Sequence, residues 1–229
     1  GLQEVIAEQT AFLEAALPQY RWLGVDRGLN GGSGLSEATP IWYRYDELAP
    51  IESGTFWLGD PPGATPSGRA AGAGQDPAGR GGDGRGGRGG RGGRGGFRNV
   101  YNTHFSPREG PQHVEAMARI NERVAALPAG SSVIVMGDFN SAAGTSDAWR
   151  AATSQGLRDA WRIAPERNGP PFTSNGFGPP PAEGDWRIDW ILVGGSIEAS
   201  SVSTVVHSVG GRYPSDHYPV LATLRVSPS

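Results

Sequence analysis

Cysteine and lysine are both absent from this chain of 229 residues. Without cysteine, a disulfide framework and any thiolate zinc site are excluded. No run of 18 apolar residues occurs, so no segment of the sequence is expected to span a membrane. All 20 basic residues are arginine, which we interpret as a coding bias rather than as chemistry. The length suits one large domain, residues 1–229, with its own core.

Charge and glycine are spread unevenly along the chain. Residues 68–98 carry seven Arg and two Asp, so the total charge of -3 leaves about -8 for the remainder. This acidic remainder argues against a broad basic face for nucleic acids. From Gly79 to Gly96, 12 of 18 residues are Gly and five are Arg. Such a stretch cannot bury enough apolar surface to offset its ordering entropy, so a disordered insertion is predicted at residues 61–97. A non-catalytic RNA-binding arm is the alternative interpretation of the same segment.

Outside that segment, helical and strand patterns alternate. Apolar residues at helical spacing predict helices near residues 5–17 and 111–127, the second from a stripe that includes Val114 and Met117. Branched and aromatic residues predict strands at 20–25, 40–45, 51–58, 98–104, 132–136, 188–193, 202–206 and 220–226. His113 and His207 are interpreted as surface residues. Together these elements predict a layered α/β sandwich.

Five short polar motifs lie at the ends of predicted strands or beside them. In chain order they read Gln3-Glu4-Val5, Asn102-Thr103-His104, Gly137-Asp138-Phe139-Asn140, Arg187-Ile188-Asp189-Trp190-Ile191 and Ser215-Asp216-His217-Tyr218-Pro219-Val220. Oxygen ligands without cysteine favour Mg²⁺, Mn²⁺ or Ca²⁺ over zinc. Histidine beside carboxylates suits proton transfer or contact with a phosphate oxygen. The combination indicates metal-dependent hydrolysis of a phosphate ester.

The order QEV, NTH, GDFN, RIDWI, SDHYPV resembles the endonuclease/exonuclease/phosphatase superfamily, which includes deoxyribonuclease I and the inositol-polyphosphate 5-phosphatases. The resemblance covers about residues 1–60 and 98–226. It implies a four-layer sandwich of two mixed β-sheets flanked by helices. It also implies a hydrolase that uses Mg²⁺, with Mn²⁺ and Ca²⁺ as alternatives. The expected partner is a phosphate-ester substrate, with nucleic acid among the candidates, and we expect a monomer.

The resemblance also implies roles at the metal and the water. Glu4 is expected to be a metal ligand, with Asp216 near the same ion. Asp138 is expected to activate or orient the attacking water, and Asn140 to contact the phosphate. Structural interpretations of two of these residues stay open. Glu4 could be an acid favoured by a helix N-terminus, and Asp138 could form a turn.

Two histidines are implied to face the phosphate. His217 is expected to bond the scissile phosphate and to be oriented by Asp189. His104 is expected to be a second such histidine, paired with Glu37. The alternative for Asp189 is a structural partnership with Arg187 or Arg212.

Two departures from the family pattern stand out. The family's first strand, which carries an Asn near the metal, is expected before Leu2, so the chain as printed is expected to lack it and to be less stable and less active. The span from Gly59 to Asn102 has about the length expected for the family, but its composition differs from the family's. Two compensating frameshifts in GC-rich DNA would produce that combination, which we keep as a hypothesis.

Substrate class is the least determined feature of the sequence. A nuclease-like phosphodiesterase is favoured, because the motif around Asp189 is close to the form found in nucleases. A phosphomonoesterase or a lipid phosphodiesterase of the same superfamily is the alternative. A decayed enzyme is a third interpretation, since it would explain both departures.

Overall fold

The computed structural model describes residues 1–25, 37–59 and 98–227. The predicted disordered insertion at 61–97, with the RNA-binding and frameshift hypotheses attached to it, lies outside these residues. Among the described residues, no helix combines the length and the apolar character needed to cross a membrane.

Helices and strands alternate through the described part of the chain. The helices are α1 (Ala7–Ala16), α2 (Pro111–Ala125), α3 (Asp147–Ser154) and α4 (Ala160–Ile163). The strands are β1 (Tyr20–Leu23), β2 (Ile41–Arg44), β3 (Arg98–His104), β4 (Ser132–Asp138), β5 (Arg158–Asp159), β6 (Glu166–Asn168), β7 (Asp189–Gly194), β8 (Ile197–Thr204) and β9 (Val220–Val226).

The strands form two mixed sheets and one separate antiparallel pair, β1–β2. In the four-stranded sheet, of order β3-β4-β7-β5, β3 runs parallel to β4, while β7 is antiparallel to both β4 and β5. In the three-stranded sheet, of order β6-β8-β9, β6 is parallel and β9 antiparallel to β8.

Alternate residues of β7 face two different hydrophobic clusters. Trp190 and Leu192 pack with Met117 of α2 and with α3 in the larger cluster, on one face of the four-stranded sheet. Ile191 points the other way and packs with α4 and with β8 and β9 of the second sheet. This period of two is what a strand buried on both faces requires. The predicted fold class, mixed sheets packed together and flanked by helices, is confirmed.

One predicted strand is wrong. Residues 51–58 form no regular strand, and Ile51 is largely exposed. The aromatic residue that suggested a strand there, Phe56, instead packs beneath the Arg123 guanidinium of α2, which lies 3.9 Å from the ring centroid. The motif of branched and aromatic residues therefore marks a loop that packs on a helix.

Four elements between residues 147 and 168 have no counterpart in the sequence prediction. They span two to eight residues each, which is too short for a periodic pattern to stand out. Local capping signals exist for both helices. The Ser146 hydroxyl accepts a hydrogen bond from the Trp149 amide at 3.2 Å and caps α3, and the Asp159 carboxylate accepts from the Trp161 amide at 3.0 Å and caps α4.

Candidate active site

Three strands of the four-stranded sheet end in one row of polar residues. The parallel ladder β3–β4 places His104 opposite Asp138, and the antiparallel ladder β4–β7 places Asp138 opposite Asp189. Each of the three is the terminal residue of its strand. Strand register alone therefore brings together three side chains that lie up to 85 residues apart in the sequence.

His217 and Asp189 form a hydrogen-bonded pair. The Nδ1 of His217 lies 2.8 Å from Oδ2 of Asp189, so Nδ1–H donates to the carboxylate. Burial lowers the pKa of His217, but the hydrogen bond and charge of Asp189, with the charges of Asp138 and Asp216, outweigh it and raise this pKa to about 9. The imidazole is therefore a cation near neutral pH.

Asp138 is buried and holds its proton more tightly than an ordinary carboxyl group. Burial is the main cause that raises its pKa to about 6, followed by the negative charges of Asp189 and Glu4. A hydrogen bond from the Asn140 amide to Oδ1 at 2.8 Å and the charge of His217 act in the opposite direction. Near neutral pH the carboxylate is mostly ionised and still basic enough to take a proton from water.

Asn140, two residues after Asp138, has a left-handed backbone conformation, with φ of 46°. Its side-chain Nδ2 donates to the carbonyl of Phe105 at 2.9 Å. That bond joins the loop after β4 to the loop after β3. A non-glycine residue in this region of backbone space costs roughly 1 kcal/mol or more, which the surrounding contacts must offset.

His104 lies between two carboxylates. Its Nε2 is 3.5 Å from Oδ2 of Asp138 and 3.7 Å from Oε1 of Glu4. Glu4 also has a left-handed backbone, with φ of 56°, and its side chain is 60% exposed. The neighbouring Val5 is fixed by backbone hydrogen bonds with Ala38 in both directions, at 3.0 and 2.8 Å. The exposed Glu4 carboxylate therefore stands at the rim of the row formed by His104 and Asp138.

Asp216 and Glu37 occupy the periphery of the same region. Asp216 is exposed, and its charge contributes to the raised pKa of His217. Its carbonyl accepts hydrogen bonds from the amides of Asn175 and Gly176 at 2.7 and 3.0 Å. Glu37 is half-buried and directly precedes Ala38, which pairs with Val5. The pairing of Glu37 with His104 stays a prediction.

The structure gives Arg187 ion-pair partners other than Asp189. Its guanidinium is buried and lies 3.1 Å from Asp159, with a longer contact of 3.6 Å to Asp185. The indole N–H of Trp149 also donates to Asp159, at 3.3 Å. Arg187 thus anchors the segment just before β7 to Asp159 of β5, while Asp189, two residues further on, bonds His217.

Thr173 supports the Asp189–His217 pair and has no counterpart among the predicted site residues. Its buried hydroxyl oxygen accepts from the amides of Ile188 and Asp189 at 3.0 and 3.1 Å, and its carbonyl accepts from the Tyr218 amide at 2.7 Å. Thr173 therefore ties together the two chain segments that carry the pair. No motif marks this threonine in the sequence.

The prediction that His113 is a surface residue is wrong. Its side chain is 2% exposed and both ring nitrogens have partners in the loops after β3 and β4. The helical period could have shown this, because His113 precedes Met117 by four residues and Ile120 by seven, and both of those are fully buried. Val114, by contrast, is 36% exposed. The buried face of α2 therefore begins at His113 and not at Val114, where the sequence prediction began it. His207 is exposed, as predicted.

One group of side chains in the described part of the chain has the spacing of a cation site. Asp138, Asp189 and His217 offer ligand atoms that all lie within 4.8 Å of one another. With its pKa raised to about 9, however, His217 is protonated on both ring nitrogens near neutral pH, and an imidazolium does not bind metals. The exposed carboxylates of Glu4 and Asp216 offer only oxygen donors, which are the ligands that a hard cation prefers. Chemically, the region combines a basic carboxylate, an imidazolium and oxygen ligands.

Comparison with known proteins gives this geometry a family. Residues 1–217 match the family model of the Endonuclease/Exonuclease/phosphatase family. No curated protein matches the chain. Among solved structures, an endonuclease/exonuclease/phosphatase from Bacteroides vulgatus is 26% identical, with a TM-score of 0.76 over 99% of this chain and 84% of that one.

Two further solved structures share the fold at lower identity. A mannosyl-6-phosphatase from Bacteroides thetaiotaomicron is 24% identical, with a TM-score of 0.69 over 97% of this chain and 83% of that one. The D. rerio protein TDP2, in complex with a single-strand DNA product, is 15% identical, with a TM-score of 0.62 over 98% of this chain and 84% of that one. The chain belongs to the endonuclease/exonuclease/phosphatase family.

Proposed function

We propose that this chain is a phosphoesterase that hydrolyses phosphate ester bonds by attack of water, and that its preferred substrate is a phosphodiester of the nuclease type. The observation that carries the proposal is the juxtaposition of Asp138, Asp189 and His217, whose ligand atoms lie within 4.8 Å of one another at the ends of two paired strands. A basic carboxylate beside an imidazolium is the pairing that hydrolysis of a charged ester needs.

In this proposal, Asp138 and His217 have opposite tasks. The ionised Asp138 takes a proton from a water molecule, and the water oxygen forms a bond to phosphorus as the bond to the leaving oxygen breaks. His217, held by Asp189, donates its Nε2–H to a phosphate oxygen and stabilises the charge that develops there. Asn140 and His104 are assigned contacts with the remaining phosphate oxygens.

Glu4 and Asp216 are assigned to a divalent cation, most simply Mg²⁺. When bound, the cation would neutralise charge on the phosphate and lower the barrier to departure of the leaving oxygen. The donor chemistry supports this assignment, because both carboxylates are exposed and hard. Glu37 is assigned to orientation of His104, as the resemblance implies.

A phosphomonoesterase is the second candidate, and the charge distribution favours it. Outside residues 68–98 the chain carries about -8, whereas a protein that tracks a DNA backbone normally has a cationic groove. The two distant relatives include a sugar phosphatase and a protein bound to DNA, so the shared fold does not select between the classes. A lipid phosphodiesterase is the remaining alternative within the family.

The test is an assay of the purified chain with Mg²⁺ or Mn²⁺, and with EDTA, on bis(p-nitrophenyl) phosphate and p-nitrophenyl phosphate. DNA, RNA, sugar phosphates and phospholipids then resolve the substrate class. We expect metal-dependent hydrolysis, faster on the diester, that falls by roughly 10²- to 10⁴-fold in His217→Ala. His207→Ala is the matched control, since His207 is an exposed histidine outside the site. Unchanged activity in His217→Ala, or no hydrolysis of any ester by the wild type, would contradict the proposal.

A further inference from the structure

His113 occupies a position between the two loops that follow β3 and β4. It lies in the first turn of α2, on the helix face that packs against the sheet. Its Nδ1 is 2.7 Å from the hydroxyl of Ser141, and its Nε2 is 2.8 Å from the carbonyl oxygen of Ser106. Its ring also meets Phe105 edge to face, with centroids 5.4 Å apart.

The partners determine where the proton of this imidazole sits. A carbonyl oxygen only accepts, so Nε2 must carry the hydrogen that Ser106 receives. Nδ1 bonds the Ser141 hydroxyl, which is fully buried. The imidazole thus bonds both loops at once, one through each ring nitrogen.

The two loops carry the reacting groups of the proposed site. Ser106 follows His104 by two residues, and Ser141 directly follows Asn140. Closer to the site, the loops are joined by the Phe105 amide, which donates to the Asp138 carbonyl at 2.9 Å, and by the bond from Asn140 Nδ2 to the Phe105 carbonyl. His113 adds an outer connection behind these, at the point where Asn140 is held in its left-handed conformation.

We propose that His113 is a positioning residue, which fixes the loop at 104–106 relative to the loop at 138–141 and so sets where Asp138 and Asn140 meet the phosphate. This inference rests on the proposed phosphoesterase function. A displacement of reacting groups by about 1 Å costs up to roughly 100-fold in rate, so a connection of this kind affects turnover more than binding. The competing explanation is a buried histidine that contributes to stability alone.

Three substitutions of His113 distinguish its contact with Ser141 from its contact with Ser106. Asn places a polar atom near the position of Nδ1 and keeps the contact with Ser141, while Gln places one near Nε2 and keeps the contact with Ser106. His113→Leu removes both. Ile120→Ala is the matched control, because Ile120 is fully buried on the same face of α2, two turns further from the loops.

We expect kcat of His113→Leu to fall by roughly 10- to 100-fold, with KM within about threefold of the wild type. The kcat values of His113→Asn and His113→Gln should lie between those of the wild type and of His113→Leu. Ile120→Ala should keep a kcat near that of the wild type below its melting temperature, although it unfolds at a lower temperature. If His113→Leu fails to fold, the Asn and Gln variants carry the comparison.

Hydrogen exchange gives a readout that does not need activity. The amides of Phe105 and Asn140 should exchange at least about tenfold faster in the His113 variants, while amides of β8 keep their protection. Equal kcat and equal exchange in the His113 variants and in Ile120→Ala would overturn the inference. A wild type that hydrolyses no ester would overturn the proposed function instead, and the exchange comparison would then decide alone whether His113 connects the loops.

Discussion

At the scale of single residues, Asp138 shows a conflict between stability and activity. Its carboxylate is buried beside Asp189 and within reach of the charge of Glu4, which is the cause of its raised pKa. A raised carboxyl pKa means that the folded state favours the protonated form. The ionised form therefore destabilises the fold above about pH 6, and this cost disappears below the ordinary value of 3.8.

Asp138→Asn is therefore expected to abolish hydrolysis and to stabilise the protein. The amide keeps an oxygen that can accept from the Asn140 amide, but it removes the buried charge. The gain should be on the order of 1–3 kcal/mol at pH 7, or a few degrees in Tm, and should vanish near pH 4. Thermal unfolding of both proteins at pH 4 and pH 7 measures it. A lower Tm for the variant at pH 7 would show that the carboxylate is stabilised by groups other than those described.

The same two groups predict the pH profile of the enzyme. Activity needs Asp138 ionised and His217 protonated, so kcat/KM should rise through about pH 6 and fall through about pH 9. Because the groups interact, both limbs belong to the coupled site. Asp189→Asn removes the main cause of the raised pKa of His217, so the alkaline limb should move to lower pH. An alkaline limb that stays near pH 9 in this variant would assign it to another group.

The residues of the candidate site and those that support it differ in how well the sequence predicts them. Asp138, Asp189 and His217 each stand in a motif next to apolar strand residues, so local pattern was enough to select them. Thr173 and His113 act through bonds to distant segments, and only the folded chain shows which segments those are. Arg187 was marked by its motif, but its partner Asp159, 28 residues away, was not.

At the scale of elements, the ladder between β3 and β4 depends on one glycine. Gly137 has φ of 142°, and a Cβ at this position would overlap the backbone of Thr103 on the neighbouring strand. Backbone cannot move aside as a flexible side chain can. The glycine of the GDFN motif is therefore explained by strand pairing rather than by contact with a substrate.

Gly137→Ala is expected to separate β3 from β4 and to move His104 away from Asp138. We expect a loss of roughly 2 kcal/mol or more in the free energy of unfolding, together with loss of activity. Denaturant unfolding checks the stability. Gly130→Ala, at a glycine with φ of 80° and no atoms near the added Cβ, is the control for backbone strain alone. Equal losses in the two variants would mean that the overlap with Thr103 is relieved cheaply.

Most strands and the long helix α2 were predictable from their residue pattern, whereas the short elements between residues 147 and 168 were not. Strands β3 and β9 match the predicted bounds, because their apolar residues are bounded by clear breaks. Strand β8 begins at Ile197, five residues before its predicted start, since serines and a glutamate interrupt its pattern. The row of His104, Asp138 and Asp189 depends on which strands pair and in which register. Neither the helical nor the strand period of a sequence contains that information.

At the scale of the whole molecule, the proposed cation site joins the two ends of the described chain. Glu4 lies in the first residues and Asp216 close to the last strand. An ion held by both would link them only in the folded state, and a ligand of the folded state alone raises Tm. At about 100 times its Kd the stabilisation is about 2.7 kcal/mol.

Mg²⁺ is accordingly expected to raise Tm of the wild type by several degrees, and to have little effect on Glu4→Gln. Calorimetry with and without an excess of MgCl₂ measures the shift without any substrate. Glu8→Gln is the matched control, since Glu8 is an exposed acid in the first turn of α1. An equal shift in wild type and Glu4→Gln would place the ion elsewhere.

The register of β4 between β3 and β7 also has a consequence for how such a chain can evolve. Neighbouring residues of a strand face opposite sides, so the loss of one residue within β4 would put Phe139, which stacks on Trp190 in the core, in the place of Asp138. The side chains of the site and the core would exchange places in a single step. Length variation is therefore tolerated between the strands of this sheet and selected against within them, whatever substrate a lineage acquires.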